Sequence, residues 1–395
     1  MSILHQIRVA RATLVAFAGM GVLWGGYMSL IPDIMAVLGA SDVEFGSLIL
    51  AAPVAAVSTM LIAPKVAPKI GHHVMPLSLM AFGLAFLLPG WMATPLMFAL
   101  AMVGVGVTNA FLDVTMNARV STLEVDRGMH LMNLNHAAYS FGYAGAAVLT
   151  GVARSAGWGP GPILTVLALG VVCMAFLTLE GGHGVNGFAR EGGRRARMGR
   201  VPLWAGLIVM IAFMSENAVE AWSALHIERT LHAPHGAGSF GPAVLALTMG
   251  VGRTAGQIVV ARLNEAMLMR WGTIIAAAGM AVVALAPTPM VAYAGLVVAG
   301  LGVSVIAPTA FAMVGRLSNP AIRAQAIARA TALGYAGYFF GPPALGFLSE
   351  FLGLRVALLA MAGVILLTLA LFPRLVAAGQ RGEDFTSHEP VPDCA

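Results

Sequence analysis

Apolar residues in this chain fall into long runs separated by short polar or basic segments. The runs lie near 11–32, 45–63, 74–91, 96–117, 132–152, 162–179, 202–226, 239–261, 271–288, 290–313, 326–350 and 354–373. Each is close to or above the roughly 20 residues a helix needs to cross a hydrocarbon core. Hydrocarbon offers no partner to a bare backbone N–H or C=O, so runs of this length predict helices, twelve in all.

Composition agrees. Only 10% of the 395 residues are charged and 59% are hydrophobic, with a mean hydropathy of +0.86. A soluble domain carries about 25% charged residues. The 21 prolines and 47 glycines suit membrane helices. The basic residues sit between the runs, so a pI near 9.6 reflects orientation in a bilayer rather than nucleic-acid binding. With the N-terminus inside, only Arg154, Arg229 and Arg355 of the 22 Lys and Arg fall outside. That bias predicts a multi-pass membrane protein with both termini in the cytoplasm. The basic start at His5, Arg8 and Arg11 resembles a signal peptide. The apolar part from Ala12 to Ile31 is too long for one, and is read as retained. Cys173 and Cys394 make neither a disulfide framework nor a metal pair.

A glycine- and arginine-rich stretch at 180–201 divides the chain in two. The expected units are a six-helix bundle over 1–179, a basic cytoplasmic linker, a second bundle over 202–374 and a disordered tail over 375–395. The halves repeat weakly. Gly142-Tyr143-Ala144-Gly145 in span five returns as Gly334-Tyr335-Ala336-Gly337 in span eleven. Val103-Gly104-Val105-Gly106-Val107 in span four returns as Ala299-Gly300-Leu301-Gly302-Val303 in span ten.

Polar residues inside the spans are the candidate chemistry. Span seven carries Glu216, Asn217 and Glu220, and the two acids share one helix face. An acid at mid-membrane costs about 2.5–3.5 kcal/mol on the lowest scale, so that face points at protein or trapped water. The acids either hold neighbouring helices in register or bind a proton or polar solute. Glu216 is expected to carry the proton and Glu220 to meet solute hydroxyls or an amine. In span four, Asn109, Asp113 and Asn117 share a face. In span five, Asn133 and His136 form a similar stripe beside Tyr139 and Tyr143. The short connection between these spans predicts antiparallel neighbours. Asp113 and His136 are then at similar depth and expected to pair, as a structural ion pair or a protonation site. Trp24 and Tyr27 of span one and Tyr335 and Tyr338 of span eleven suit packing or a flat ligand.

These features together resemble the major facilitator superfamily, in which two parallel repeats of six spans enclose a midplane substrate site. The branch it looks closest to holds the fucose-permease-like and MosC-like proteins. Gly252-Arg253-Thr254-Ala255-Gly256-Gln257 followed by Arg262 is similar to the family's conformational-switch loop, with Gln257 in place of the usual acid. The first copy is eroded to Pro64-Lys65-Val66-Ala67-Pro68-Lys69-Ile70-Gly71. Glu216 to Trp222, the Asp113, Met116 and Asn117 set, and His136 to Gly142 resemble motifs of the MosC-like branch. The resemblance implies a secondary active transporter, a monomer in the bilayer, that moves a sugar, polyol or related small solute, by default with protons. A drug or metabolite exporter is the second reading, and a membrane enzyme or scaffold the third. No cofactor or metal is implied, and no GxxxxGK[ST] loop occurs for ATP-driven transport. Cysteines substituted for Gly192 and Asp384 are expected to be shielded from an impermeant reagent outside, and one at Gly157 to react with it. Reaction at residue 192 contradicts the twelve-span order.

Overall fold

The structure is a computed structural model that describes residues 3–129, 131–180, 199–260, 264–318 and 323–380. These form an all-α bundle in which twelve spans follow the apolar runs. In the first half they are Arg11–Ser29, the two-piece Asp42–Leu48 and Ala51–Ile70, Val74–Ala85, Pro95–Arg127, Met132–Ser155 and Pro160–Ala175. In the second they are Val201–Leu225, Phe240–Val260, Glu265–Leu285, Pro289–Leu317, Arg323–Leu352 and Leu354–Gln380. By length and apolar composition alone, eight stretches among the described residues qualify as membrane-crossing, and one of them, Asp42–Trp91, holds both spans two and three. Spans five, eight and eleven fall outside that test. They are the spans that carry His136, Arg253 and Arg329, and they lie along the division between the halves.

Span four shows why helices outlast their apolar runs. Thr94 caps its start by accepting the Met97 N–H, Pro95 fits the first turn, and Gly128, at φ 60°, ends it. The polar stretch from Asn117 to Arg127 stays helical because nothing in it breaks a helix once the chain has left hydrocarbon. Span twelve runs on to Gln380 in the same way. Residues 375–380 are therefore helical rather than part of a disordered tail. The rest of that tail and linker residues 181–198 lie outside the described residues.

The halves pack alike. Span one lies against spans five and six, two against four, and three against six; seven lies against eleven and twelve, eight against ten, and nine against twelve. Between halves, span five meets span eight and span two meets span eleven. Spans four and five make little contact despite their short connection, because each is taken by a different partner. The expectation that they are neighbours is corrected accordingly.

Backbone approach sets these pairings. A Cβ on Gly21 or Gly25 of span one would lie 2.1 and 2.2 Å from the carbonyl oxygens of Tyr139 and Tyr143 in span five. Gly142 meets the Ala18 carbonyl and Gly337 the Met210 carbonyl in the same manner, at 2.5 and 2.4 Å. The repeated Gly-Tyr-Ala-Gly motif thus serves equivalent helix pairs, by the small-residue contact that membrane helices favour. Gly145 has nothing within 4 Å of its would-be Cβ. Gly21→Ala is expected to cost about 1–3 kcal/mol or more through overpacking and to lower the melting temperature in detergent. Gly145→Ala should leave the melt unchanged. Equal melts for the two variants contradict this packing.

Candidate functional site

Spans one, five, seven and eleven approach closely in pairs and leave a cavity of about 310 Å³ between the halves. The first half contributes Trp24, Tyr27, Asn109, Asp113, His136 and Tyr139. The second contributes Glu216, Asn217, Glu220, Arg253, Tyr335 and Tyr338. Much of the remaining lining is apolar, including Met20, Met28, Met102 and Phe213.

Asp113 accepts from the Asn117 amide at 2.9 Å and from the Tyr335 hydroxyl at 3.3 Å. The second bond crosses between the halves. The expected Asp113–His136 pair is not formed; the His136 ring instead stands edge-on to Phe17, with centroids 5.1 Å apart. The span that brings His136 into the cavity rests on span one, which is why Phe17 rather than Asp113 is its neighbour. On span seven, Glu216 is 3.1 Å from the Arg253 guanidinium. Glu220, one turn on, is only 8% exposed, and among the described residues it accepts no hydrogen bond. Asn217 is buried between them, with its side-chain oxygen unpartnered.

The other sequence candidates divide. The Trp24 indole donates to Asn109 at 2.8 Å and packs with Tyr27 and Phe86. Tyr143 is fully buried and Asn117 reaches the cavity only through Asp113. Asn133 is exposed at the start of span five, away from the cavity. Gly252, Arg253 and Gly256 lie within the span-eight helix rather than in a loop, and Arg253 faces the cavity. Gly252 permits close approach to span ten, since its Cβ would meet the Ser304 hydroxyl at 2.6 Å. Arg262 lies outside the described residues. Among the described residues no cluster of His, Cys, Asp and Glu has the form of a metal site.

A second assembly closes the end of the bundle away from the chain termini. Arg154, at 0% exposure, forms a fork to Asp33 with two bonds of 2.7 Å. The same guanidinium reaches Glu228 of the other half at 2.7 and 2.9 Å and donates to Ser239 at 3.0 Å. Glu228 also accepts backbone N–H bonds from Gly236 and Gly238. His235 lies 2.9 Å from Asp33. Nearby, Asp42 accepts from Arg229 at 2.8 Å and from the Ser349 hydroxyl, and its own N–H donates to Glu350. Gly346 lets span eleven come within 2.4 Å, measured from its would-be Cβ, of the Asp42 carbonyl oxygen. Among the described residues, the hydrogen bonds between halves lie at this far end, apart from Tyr335 to Asp113.

The model of the Major Facilitator Superfamily matches residues 13–296 and 205–391. The chain belongs to that superfamily. An uncharacterised MFS-type transporter of Yersinia pestis is 26% identical over 372 residues, covering 92% of this chain and 95% of the relative. The membrane protein MosC of Rhizobium meliloti is 25% identical over 352 residues, covering 87% and 84%. Among solved structures, a bacterial homologue of the human lysosomal transporter Spinster, inward-facing and unoccupied, covers 98% of this chain and 100% of its own. It has 14% identity and a TM-score of 0.78, a likeness of fold. This major facilitator chain is therefore a membrane transporter and not an enzyme.

The far-end seal escaped the sequence reading. Its only signal was the scarcity of arginines on that side: Arg154 and Arg229 are two of three, and both turn out to hold the halves together. Burial works to raise the Asp33 carboxyl. Hydrogen bonds and charge from Arg154, supported by His235, outweigh burial and hold it below the ordinary 3.8. A lowered carboxyl contributes stability that is complete above the ordinary value and is lost as pH falls through the lowered one. Arg154→Met strands Asp33 and Glu228, and breaking a buried pair in this way costs about 3–5 kcal/mol. A nitroxide on Ile31→Cys, 1% exposed and lining the cavity, reports the opening in vesicles lacking Cys173 and Cys394. With an impermeant relaxant on the far side only, Arg154→Met should expose it at neutral pH. The parent should begin to expose it only below about pH 4. A shielded label in Arg154→Met contradicts the role of the arginine.

Proposed function

We propose that this transporter is a proton-coupled carrier moving a small organic solute with a polar group by alternating access across a bacterial cytoplasmic membrane. The observation that carries the reading is a cavity built from both halves, lined with ionisable groups and shut at one end by ion pairs that join those halves. A site reached from each side in turn needs two units that rock about it. The working units are taken as residues 1–179 and 202–374, tethered by 180–201. The bias of lysine and arginine supports cytoplasmic termini, which makes the sealed end the outer face and the conformation inward-facing.

Sequence alone favoured Glu216 as the proton carrier. Its bond to Arg253 argues for a fixed ion pair instead, since protonation would sacrifice that interaction. Asp113 suits the proton better. Its hydrogen-bond partners are neutral, and one of them, Tyr335, belongs to the opposite half. Protonation weakens a charge-assisted bond. Proton occupancy of Asp113 would thereby be tied to the relative position of the halves.

The test uses vesicles holding purified protein, a proton gradient imposed inward or, in a parallel series, outward, and radiolabelled sugars, inositols, nucleosides and amines. The parent should accumulate at least one of these against its gradient. Asp113→Asn should abolish accumulation while retaining exchange of the same solute between equal concentrations. Accumulation by Asp113→Asn at the parent's rate overturns the coupling role, and no accumulation of any solute by the parent overturns proton-driven transport of these classes.

A further inference from the structure

The cavity is unbalanced in charge. Among the described residues lining it, Asp113, Glu216 and Glu220 are acids, Arg253 is the one permanent cation, and His136 adds charge only when protonated. Arg253 is engaged by Glu216. Asp113 has two neutral donors. Glu220 is more than nine-tenths buried, lines the cavity and has no hydrogen bond among the described residues. Three residues back on the same helix face, the buried Asn217 side-chain oxygen is also without a partner. The Glu220 carboxylate faces the cavity without a hydrogen-bond partner from the protein, and a carboxylate so placed attracts a proton or a cation.

The cavity that Glu220 lines suits a cation with an apolar body. Phe213, Tyr335 and Tyr338 form a cluster with ring centroids 5.3–5.8 Å apart, and all three line the cavity with Tyr139 and Trp24. Aromatic faces attract ammonium groups, more strongly where water is excluded. Methionines on the opposite wall provide an adaptable apolar surface. An anion would add to the negative charge of three acids against one arginine, and a neutral hydroxyl would do nothing to offset it. At about 310 Å³, the cavity is at the lower end of the range of small-molecule sites and suits a compact solute.

We propose that the cavity selects a protonated amine on a compact apolar or aromatic body, with its ammonium group between Glu220 and Asn217. This rests on the transport reading above and narrows its solute. The ammonium donates to the Glu220 carboxylate and the Asn217 oxygen, a charge-assisted arrangement that a neutral isostere does not reproduce. The body lies against the rings of Phe213 and Tyr338. The amine and a proton compete for one carboxylate, so their occupancies exclude each other at this position.

The experiment titrates full-length purified protein at neutral pH with phenethylamine, phenethyl alcohol and phenylacetate, which differ mainly in charge. The amine should bind at least about tenfold more tightly than the alcohol, and phenylacetate most weakly. Glu220→Gln should remove the preference by weakening the amine alone. A melt like the parent's shows that this variant is folded; if it is not, the order of the three ligands on the parent decides. Equal or tighter binding of the alcohol or phenylacetate, no binding of any of the three, or a preference that survives in folded Glu220→Gln overturns the proposal. The two readings fail separately. Amine binding without proton-driven accumulation in vesicles refutes the coupled carrier and keeps the cation site. Accumulation of a neutral sugar with no preference for the amine does the reverse.

Discussion

A charge inside a bilayer has to find its partner in the protein, because hydrocarbon supplies none. That constraint organises this molecule. Among the described residues, the acids of the central cavity and of the far-end seal lie on the division between the halves, while the buried His226 and the Arg119–Glu180 pair are held within single halves. Lipid-facing surfaces are left to residues such as Leu100, Leu149 and Leu366. The two charged places solve the problem differently. At the seal Asp33 and Glu228 share Arg154 and Asp42 has Arg229, and all five N–H groups of the Arg154 guanidinium are taken by two carboxylates and a serine. In the cavity only Glu216 has an arginine.

That difference separates structure from function. Buried ion pairs with complete hydrogen bonding fix geometry, and removing one partner is costly. The seal fits this description and holds the halves in one arrangement. The cavity is left short of positive charge, and an incomplete site is completed by what enters it. Glycine contacts make both possible. Spans one and five, and seven and eleven, are drawn together at backbone distance, and so are spans two and eleven of opposite halves at the far end, where Gly346 approaches Asp42; around the cavity the halves meet through side chains such as Tyr335 and Asp113.

Much of the fold was legible in the sequence because a membrane helix must be written as a continuous apolar run. Even the polar ends of span four failed to mislead by more than their length, since Gly128 and not polarity stops the helix. The site was legible only in part. The shared face of Glu216 and Glu220 follows from helical periodicity alone. Which acid is paired does not, because Arg253 comes from another span and its approach depends on how spans seven and eight pack. Asp113 and His136 illustrate the same limit: a short loop constrains chain ends, not helix neighbours. The seal was invisible because Asp33, Arg154 and Glu228 meet across three connections that no local pattern relates.

At the proposed cation site, Glu220 is met by a proton when no amine is bound and by the ammonium group when one is. Proton release on binding tests it most directly. A pH-indicator dye in weakly buffered solution would record the protons leaving the protein as phenethylamine is titrated in, corrected for those of the ligand. About one proton should be released for each amine bound, and none in Glu220→Gln. Amine binding with no proton release by the parent would contradict it.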